Sequence, residues 1–321
     1  MANKPFWNLQ TKGDESFETK TYVKVKKILD NDYPLWYNVP MADISQEQIE
    51  AYYEAYRDRD LLLTKELVHT IGLDSRQVFL AFNGAQWPCI INFVSLSGAK
   101  LIISVRGVAY SILNSKHVEN VTLKMLFVRK EEGTYPFSLD AKLEGIKPYT
   151  GGQDFVQLTV SFFQRPPDDF IAIIGRTIET NQNYAQRREE RILITPESKK
   201  LIHLLKEEMV VFFQNVPRRC ILRDVSFSGA KIIVMGLSQF LAGKKLILKI
   251  PFYDPIETFS ISGTVVAVSD VENRKDLVYV SIRYDDQTIP FAYKAHINNY
   301  LTSVKNVVLE DDMENHGEEQ G

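Results

Sequence analysis

Two stretches of this chain are versions of one another, and that duplication constrains its fold more than any other feature. Laid together without a gap, residues 89–103 and 220–234 agree at nine of fifteen positions, where average composition gives about one match. Cys89, Ser95 and Gly98 fall on Cys220, Ser226 and Gly229 at a constant offset of 131. The likeness continues more faintly on both sides. Thr64 and Glu66 align with Thr195 and Glu197, and Phe82 with Phe213. After small gaps Leu123-Lys124 meets Leu248-Lys249, and Asp154-Phe155-Val156 meets Asp276-Leu277-Val278. A repeat of this length is one structural unit built twice, and 321 residues are enough for two domains of ordinary size.

Each copy reads as a helix followed by short alternating strands between turn residues, the pattern of a small antiparallel barrel. The expected fold class is therefore mainly β with helices: two tandem antiparallel β-barrels, each with accessory helices. The first domain is expected over residues 1–180, the second over 181–309, and an acidic segment, 310–321, has too few apolar residues to fold. Residues 1–44, with a basic run at Lys20 to Lys27 and the aromatic run Tyr33-Pro34-Leu35-Trp36-Tyr37, read as an arm packing on the first domain. Ser45-Gln46-Glu47-Gln48 is a capping box that starts a helix to about Arg57. Glu179 to Gln186 reads as a polar linker, and Thr195-Pro196-Glu197 starts a helix expected to run to about Glu208. Strands follow at 244–250, 257–269 and 277–284, with a closing amphipathic helix at 290–308.

The copies differ where chemistry is concentrated. The second opens with Arg187-Arg188-Glu189-Glu190-Arg191 and carries Asp224-Val225-Ser226-Phe227-Ser228-Gly229. At the same offset the first has Tyr56 for Arg187, Asp60 for Arg191 and Phe93 for Asp224, while Ser95 and Gly98 persist. Arginine forks onto phosphate and stacks on flat rings better than lysine does. Aspartate accepts from N–H edges, serine offers a small hydroxyl, and glycine allows a positive φ or a close approach. Taken singly, each half has a bland reading: charged clusters in linkers are usually solvated, and Asp-x-Ser-x-x-Gly is often only a turn.

Together, Arg-x-x-x-Arg leading into a strand and Asp-x-Ser-x-x-Gly some thirty residues later resemble the PilZ domain, the receptor module for cyclic di-GMP. The resemblance implies that Arg187 and Arg191 hold phosphate and guanine and that Asp224, Ser226 and Gly229 complete the base pocket, with Arg188 an additional cation. Arg283, in the last strand, could add another, although strand arginines are more often exposed. The first copy then reads as a degenerate PilZ-like domain that keeps the turn and lacks the site. A degenerate domain before a full one is similar to the flagellar-brake receptors and to the spirochaetal tandem-PilZ proteins. A ligand gripped by the arginines after the linker and by Asp224 and Ser226 on the barrel would fix the angle between the domains, and the likeness implies a protein partner, such as a flagellar motor component, that engages the reoriented surface; a monomer is the working expectation.

Other function classes fit less well. There is no Gly-rich phosphate loop, no His-Glu-x-x-His and no Gly-x-Ser-x-Gly elbow, so the chain reads as a receptor without a cofactor or metal. Asp168-Asp169 and Asp285-Asp286 are adjacent pairs whose side chains would diverge in a strand. The formal net charge of −3 gives no global pull toward nucleic acid. A nucleic-acid-binding module remains the alternative, through Arg218, Arg219, Arg223, Lys244, Lys245 and Lys249, with a structural adaptor bearing a vestigial pocket as the third reading. Two cysteines without partners at metal-ligand spacing, no leader-like start and no membrane-length apolar run suggest the cytoplasm.

Overall fold

The computed structural model describes residues 44–317, apart from 116, 117, 130–132, 237 and 255. The aromatic and basic arm expected at the amino terminus lies outside the described residues. The first copy runs α1 (Gln46–Tyr56), β1 (Leu61–Leu62), α2 (Lys65–Thr70), β2 (Phe79–Phe82), β3 (Ala85–Pro88), β4 (Ile90–Val94), β5 (Gly98–Ser104), α3 (Val108–Ser115), β6 (Asn120–Arg129), β7 (Gly133–Pro148) and β8 (Phe155–Phe162). A long helix α4 (Asp168–Gln186) leads into the second copy: β9 (Ile192–Leu193), α5 (Pro196–Leu201), β10 (Glu208–Phe213), β11 (Val216–Val225), β12 (Gly229–Met235), α6 (Ser238–Leu241), β13 (Lys245–Tyr253), β14 (Ile256–Val271), β15 (Arg274–Tyr284) and α7 (Phe291–Gly317).

The second copy is a closed barrel. Its antiparallel order is β10-β13-β14-β15-β12-β11-β9, and β10 also pairs with β11, joining six strands in a ring. Leu222, Val225, Ile232, Leu248, Ile250, Ile261, Val280 and Ile282 fill its interior at 1% exposure or less. The first copy is not a barrel, contrary to the sequence expectation. Its sheet has the order β1-β4-β5-β8-β7-β6-β2-β3 and ends at β1 and β3 without closing. Where the second copy has one continuous β11, the first breaks at Cys89 into β3 and β4. The break follows Pro88, which has no N–H to give to the ladder.

Three further expectations are corrected. Helix α5 stops at Leu201, well short of Glu208, because His203 turns left-handed (φ 58°) and Leu204 then bridges to Phe252. Gly72 makes the same stop in the first copy (φ 79°), where Leu73 bridges to Phe127. The polar linker 179–186 is the last part of α4. It is helical because its polar side chains have partners: Asn183 Nδ2 donates to Asn298 Oδ1 at 2.6 Å, and Thr180 is buried. The acidic segment continues α7 as helix to Gly317. Extending an existing helix needs no new nucleus.

Helix α7 closes the bottom of the barrel through His296. Its ring is fully buried and lies flat on Phe252, with centroids 4.1 Å apart and planes 14° from parallel. Burial, with His203 and Arg176 nearby, holds the imidazole well below its ordinary range, so it packs as a neutral ring. A histidine with a depressed folded pKa contributes stability that is full above the unfolded value of about 6.5 and is lost as pH falls below it. His296→Gln, which titrates nothing, should therefore flatten the fall in urea midpoint between pH 7 and pH 5. Equal slopes for the two proteins would place the acid sensitivity elsewhere.

Candidate ligand-binding site

The site is built where the end of α4 meets the turn between β11 and β12. Arg187 caps α4, its N–H donating to Asn183 O at 2.7 Å, and the Glu190 N–H closes a turn onto Arg187 O at 3.1 Å. The segment 187–190 is thus a tight turn hung on a helix. It is stitched to the barrel by Ser228, whose N–H donates to Arg188 O at 3.2 Å. The Ser228 hydroxyl lies 2.9 Å from the same carbonyl and 3.0 Å from Glu189 Oε1, and its one proton serves one acceptor at a time. Below this seam Tyr184 packs edge-on against the buried Phe227, centroids 5.8 Å apart.

Arg187, Arg188 and Arg191 are each engaged by a carboxylate. Arg191 pairs with Asp224, held in reach because β9 pairs with β11 at Leu193–Asp224. A bulge between Leu222 and Asp224 aims that carboxylate. Arg188 pairs with Asp286 beyond the end of β15, and Arg187 Nε lies 3.6 Å from Glu190 Oε2. An open cleft runs along this seam, walled by Arg187, Arg188, Ser228, Arg283 and Asp286 among others, while Arg191 and Asp224 lie outside its wall. The structure therefore gathers Arg187 and Arg188 in one cleft and sets Arg191 with Asp224 beside it.

Ser226 and Gly229 also shape the turn itself. Ser226 is fully buried. Its Oγ sits 3.3 Å from Gly229 O and accepts from the Ser228 N–H at 3.3 Å. The first copy repeats this, with Ser95 Oγ 3.3 Å from Gly98 O and 3.3 Å from Ser97 N. Gly229 is absent from the positive-φ residues, and a Cβ there would meet Ile282 O at 2.2 Å, just as one at Gly98 would meet Val160 O at 2.3 Å. Serine and glycine are needed to fold this turn onto the neighbouring strand in both copies.

Sequence reasoning missed Asp286, Ser228 and Lys294. Lys294 on α7 places Nζ 3.9 Å from the centre of the Tyr184 ring, and Arg188 Cζ lies 5.2 Å from it. Burial lowers the Lys294 pKa from its ordinary value. The offset of 131 could have flagged part of this, since Tyr53 and Arg57 match Tyr184 and Arg188 and stack alike at 5.7 Å. At the place of Arg191 the first copy carries Asp60, which pairs instead with Lys100 on the neighbouring strand, opposite Phe93. The two cysteines are free and buried, each thiol pushed up to about 12. Among the described residues no helix is long and apolar enough to cross a membrane.

Two family models cover the two copies. The PilZN3 domain matches residues 47–181 and the PilZ domain residues 185–303. A cyclic di-GMP binding protein of Treponema denticola is 40% identical over 267 residues, covering 83% of this chain and 85% of that protein. Among solved structures, PlzA of Borreliella burgdorferi in complex with c-di-GMP is 20% identical, with TM-score 0.36 over 79% of this chain and 98% of its own. YcgR of Escherichia coli in complex with c-di-GMP is 14% identical, with TM-score 0.27 over 86% and 99%.

The shared turn generates a test. Gly98→Ala and Gly229→Ala each force a Cβ into a backbone carbonyl, so both should destabilise by about 1–3 kcal/mol, the cost of overpacking a tight strand contact. Chemical denaturation measures this directly. A neutral Gly98→Ala beside a damaging Gly229→Ala would overturn the common structural role.

Proposed function

We propose, from the premise that this chain belongs to the PilZ family and carries a PilZN3 domain ahead of its PilZ domain, that it is a receptor for cyclic di-GMP. The observation that carries the reading is the convergence of Arg187, Arg188 and Arg191 with Asp224 on one junction between α4 and the barrel. A cyclic dinucleotide offers two phosphates and two guanines. Forked guanidinium groups suit both, and a carboxylate such as Asp224 suits the guanine N–H edge. In this reading the arginines take the phosphates and base planes, Asp224 takes a base edge, and Ser226 and Gly229 hold the turn that presents them. The first copy, with Tyr56, Asp60 and Phe93 in the corresponding places, binds no nucleotide.

The output is a change in how the two copies are held. Phosphates that draw the arginines away from Glu190, Asp286 and Asp224 would pull on the turn 187–191, which continues directly from α4. That helix packs on α1 and α7, so the pull reaches both copies at once. A protein partner in the cytoplasm, in motility or related regulation, would read the altered surface.

Calorimetric titration with cyclic di-GMP tests the site. Hydrogen bonds to charged groups contribute about 1.5–3 kcal/mol each, so Arg187→Ala or Arg191→Ala should weaken binding by roughly ten- to a hundred-fold. Tyr56→Ala should leave it unchanged, and equal affinity in all three variants would move the site elsewhere. For the output, X-ray scattering profiles recorded with and without the dinucleotide should differ. Superimposable profiles would sink the reorientation.

A further inference from the structure

The cleft beside Arg188 has an unexpected charge for a site that takes a doubly anionic ligand. Its wall holds three arginines, Arg187, Arg188 and Arg283, against four carboxylates, those of Glu189, Glu190, Asp285 and Asp286. A cleft with one net negative charge cannot draw phosphate in by its overall field. Phosphate gains at Arg187 or Arg188 only if it takes the guanidinium away from a carboxylate. The question is which carboxylate stands in its way.

Asp286 is placed to do so. Its carboxylate pairs with Arg188, so it fastens the segment just beyond α4 to the barrel. Asp286 itself stands on a fixed turn. The Asp285 N–H donates to Ser262 O at 2.9 Å, Thr288 Oγ1 donates to Asp285 O at 2.8 Å, and the Ser262 N–H donates to Thr288 Oγ1 at 3.1 Å. The stacking of Arg188 on Tyr184, by contrast, is matched by Arg57 on Tyr53 in the first copy and belongs to the scaffold. The Asp286 contact is added to that scaffold and occupies the guanidinium within the cleft itself.

We propose that Asp286 is an internal competitor for the ligand's phosphate: it holds the Arg188 guanidinium that phosphate must capture, and so sets the concentration of dinucleotide at which the receptor fills. This rests on the cyclic di-GMP reading above. Because the pair is partly exposed, with side-chain exposures of 37% and 54%, its hold is modest, and freeing Arg188 should tighten binding by about two- to five-fold.

The test is calorimetric titration of cyclic di-GMP into the full chain and its Asp286→Asn, Arg188→Gln and doubly substituted forms, with thermal melts to verify folding. Asp286→Asn should bind more tightly than the wild type, and that gain should vanish in the Arg188→Gln background, as a double-mutant cycle requires of a coupled pair. Unchanged or weaker binding by Asp286→Asn, or a gain of equal size without Arg188, would overturn the competitor role while leaving the receptor reading intact. A wild-type chain that takes up no cyclic di-GMP would overturn the receptor reading first, and this inference with it.

Discussion

One carboxylate holds the two copies together. Glu179 Oε2, half-buried on α4, accepts from Tyr52 Oη of α1 at 3.0 Å, Asn298 Nδ2 of α7 at 3.1 Å and Thr302 Oγ1 of α7 at 3.4 Å. Hydrogen bonds to an ionised acceptor are roughly twice as strong as neutral ones, and a donor left behind by its loss would be a buried, unsatisfied group. Burial and the Glu179 charge together push the Tyr52 phenol above its ordinary range, which keeps it a donor. Beside this hub Arg176 Nη2 donates to Asn299 Oδ1 at 2.6 Å, and across the seam Glu66 Oε1 accepts from the Phe291 N–H at 2.7 Å. The first copy thereby caps the start of the second copy's closing helix. The connection between copies is a polar three-helix joint.

The duplication works as an internal control on function. Both copies bulge at the same place, between Ile91 and Phe93 and between Leu222 and Asp224. Both fold the Ser-x-x-Gly turn through the same hydrogen bonds. What changes is the charge presented at that bulge. The second copy puts a cation on the incoming chain and an anion on the sheet, Arg191 with Asp224; the first puts an anion on the chain and a cation on the sheet, Asp60 with Lys100. An ion pair staples the entry strand in each case, so the fold tolerates either polarity. Only one polarity leaves a guanidinium cluster beside the turn.

Most of the architecture was legible because it is local or repeated. Ser45 and Thr195 start helices as their side chains suggest, each accepting from an amide three residues on. Strand periodicity survives because one face of each strand is buried, and the offset of 131 links equivalent positions down to the left-handed stop at Gly72 and His203. What was not legible depends on contacts far apart in sequence. The failure of the first sheet to close turns on Pro88 at a strand junction, and the helicity of 179–186 turns on partners more than a hundred residues away. Asp286 looked like half of an unremarkable acidic pair until the fold carried it to Arg188. Ser226 and Gly229 were legible as a motif, whereas the packing that a buried hydroxyl and a missing Cβ also serve there was not.

The paired arginines bear on what kind of ligand the junction can select. Arg187, Arg188 and Arg191 each already have a carboxylate, so charge alone offers an arriving anion little at these groups, and a polyanion with irregular spacing would exchange one set of contacts for a poorer one. A compact ligand with two phosphates at fixed separation can replace several carboxylates at once, and flat bases can add stacking that no carboxylate supplies. The outer wall of the barrel is different. There Arg219 and Lys249 both stand opposite the exposed Val210 in the strand register, separated by apolar surface and open to solvent. Cations so placed suit diffuse attraction, whereas discrimination requires the crowded junction, where an incoming group must be the right shape before it can displace what is already bound.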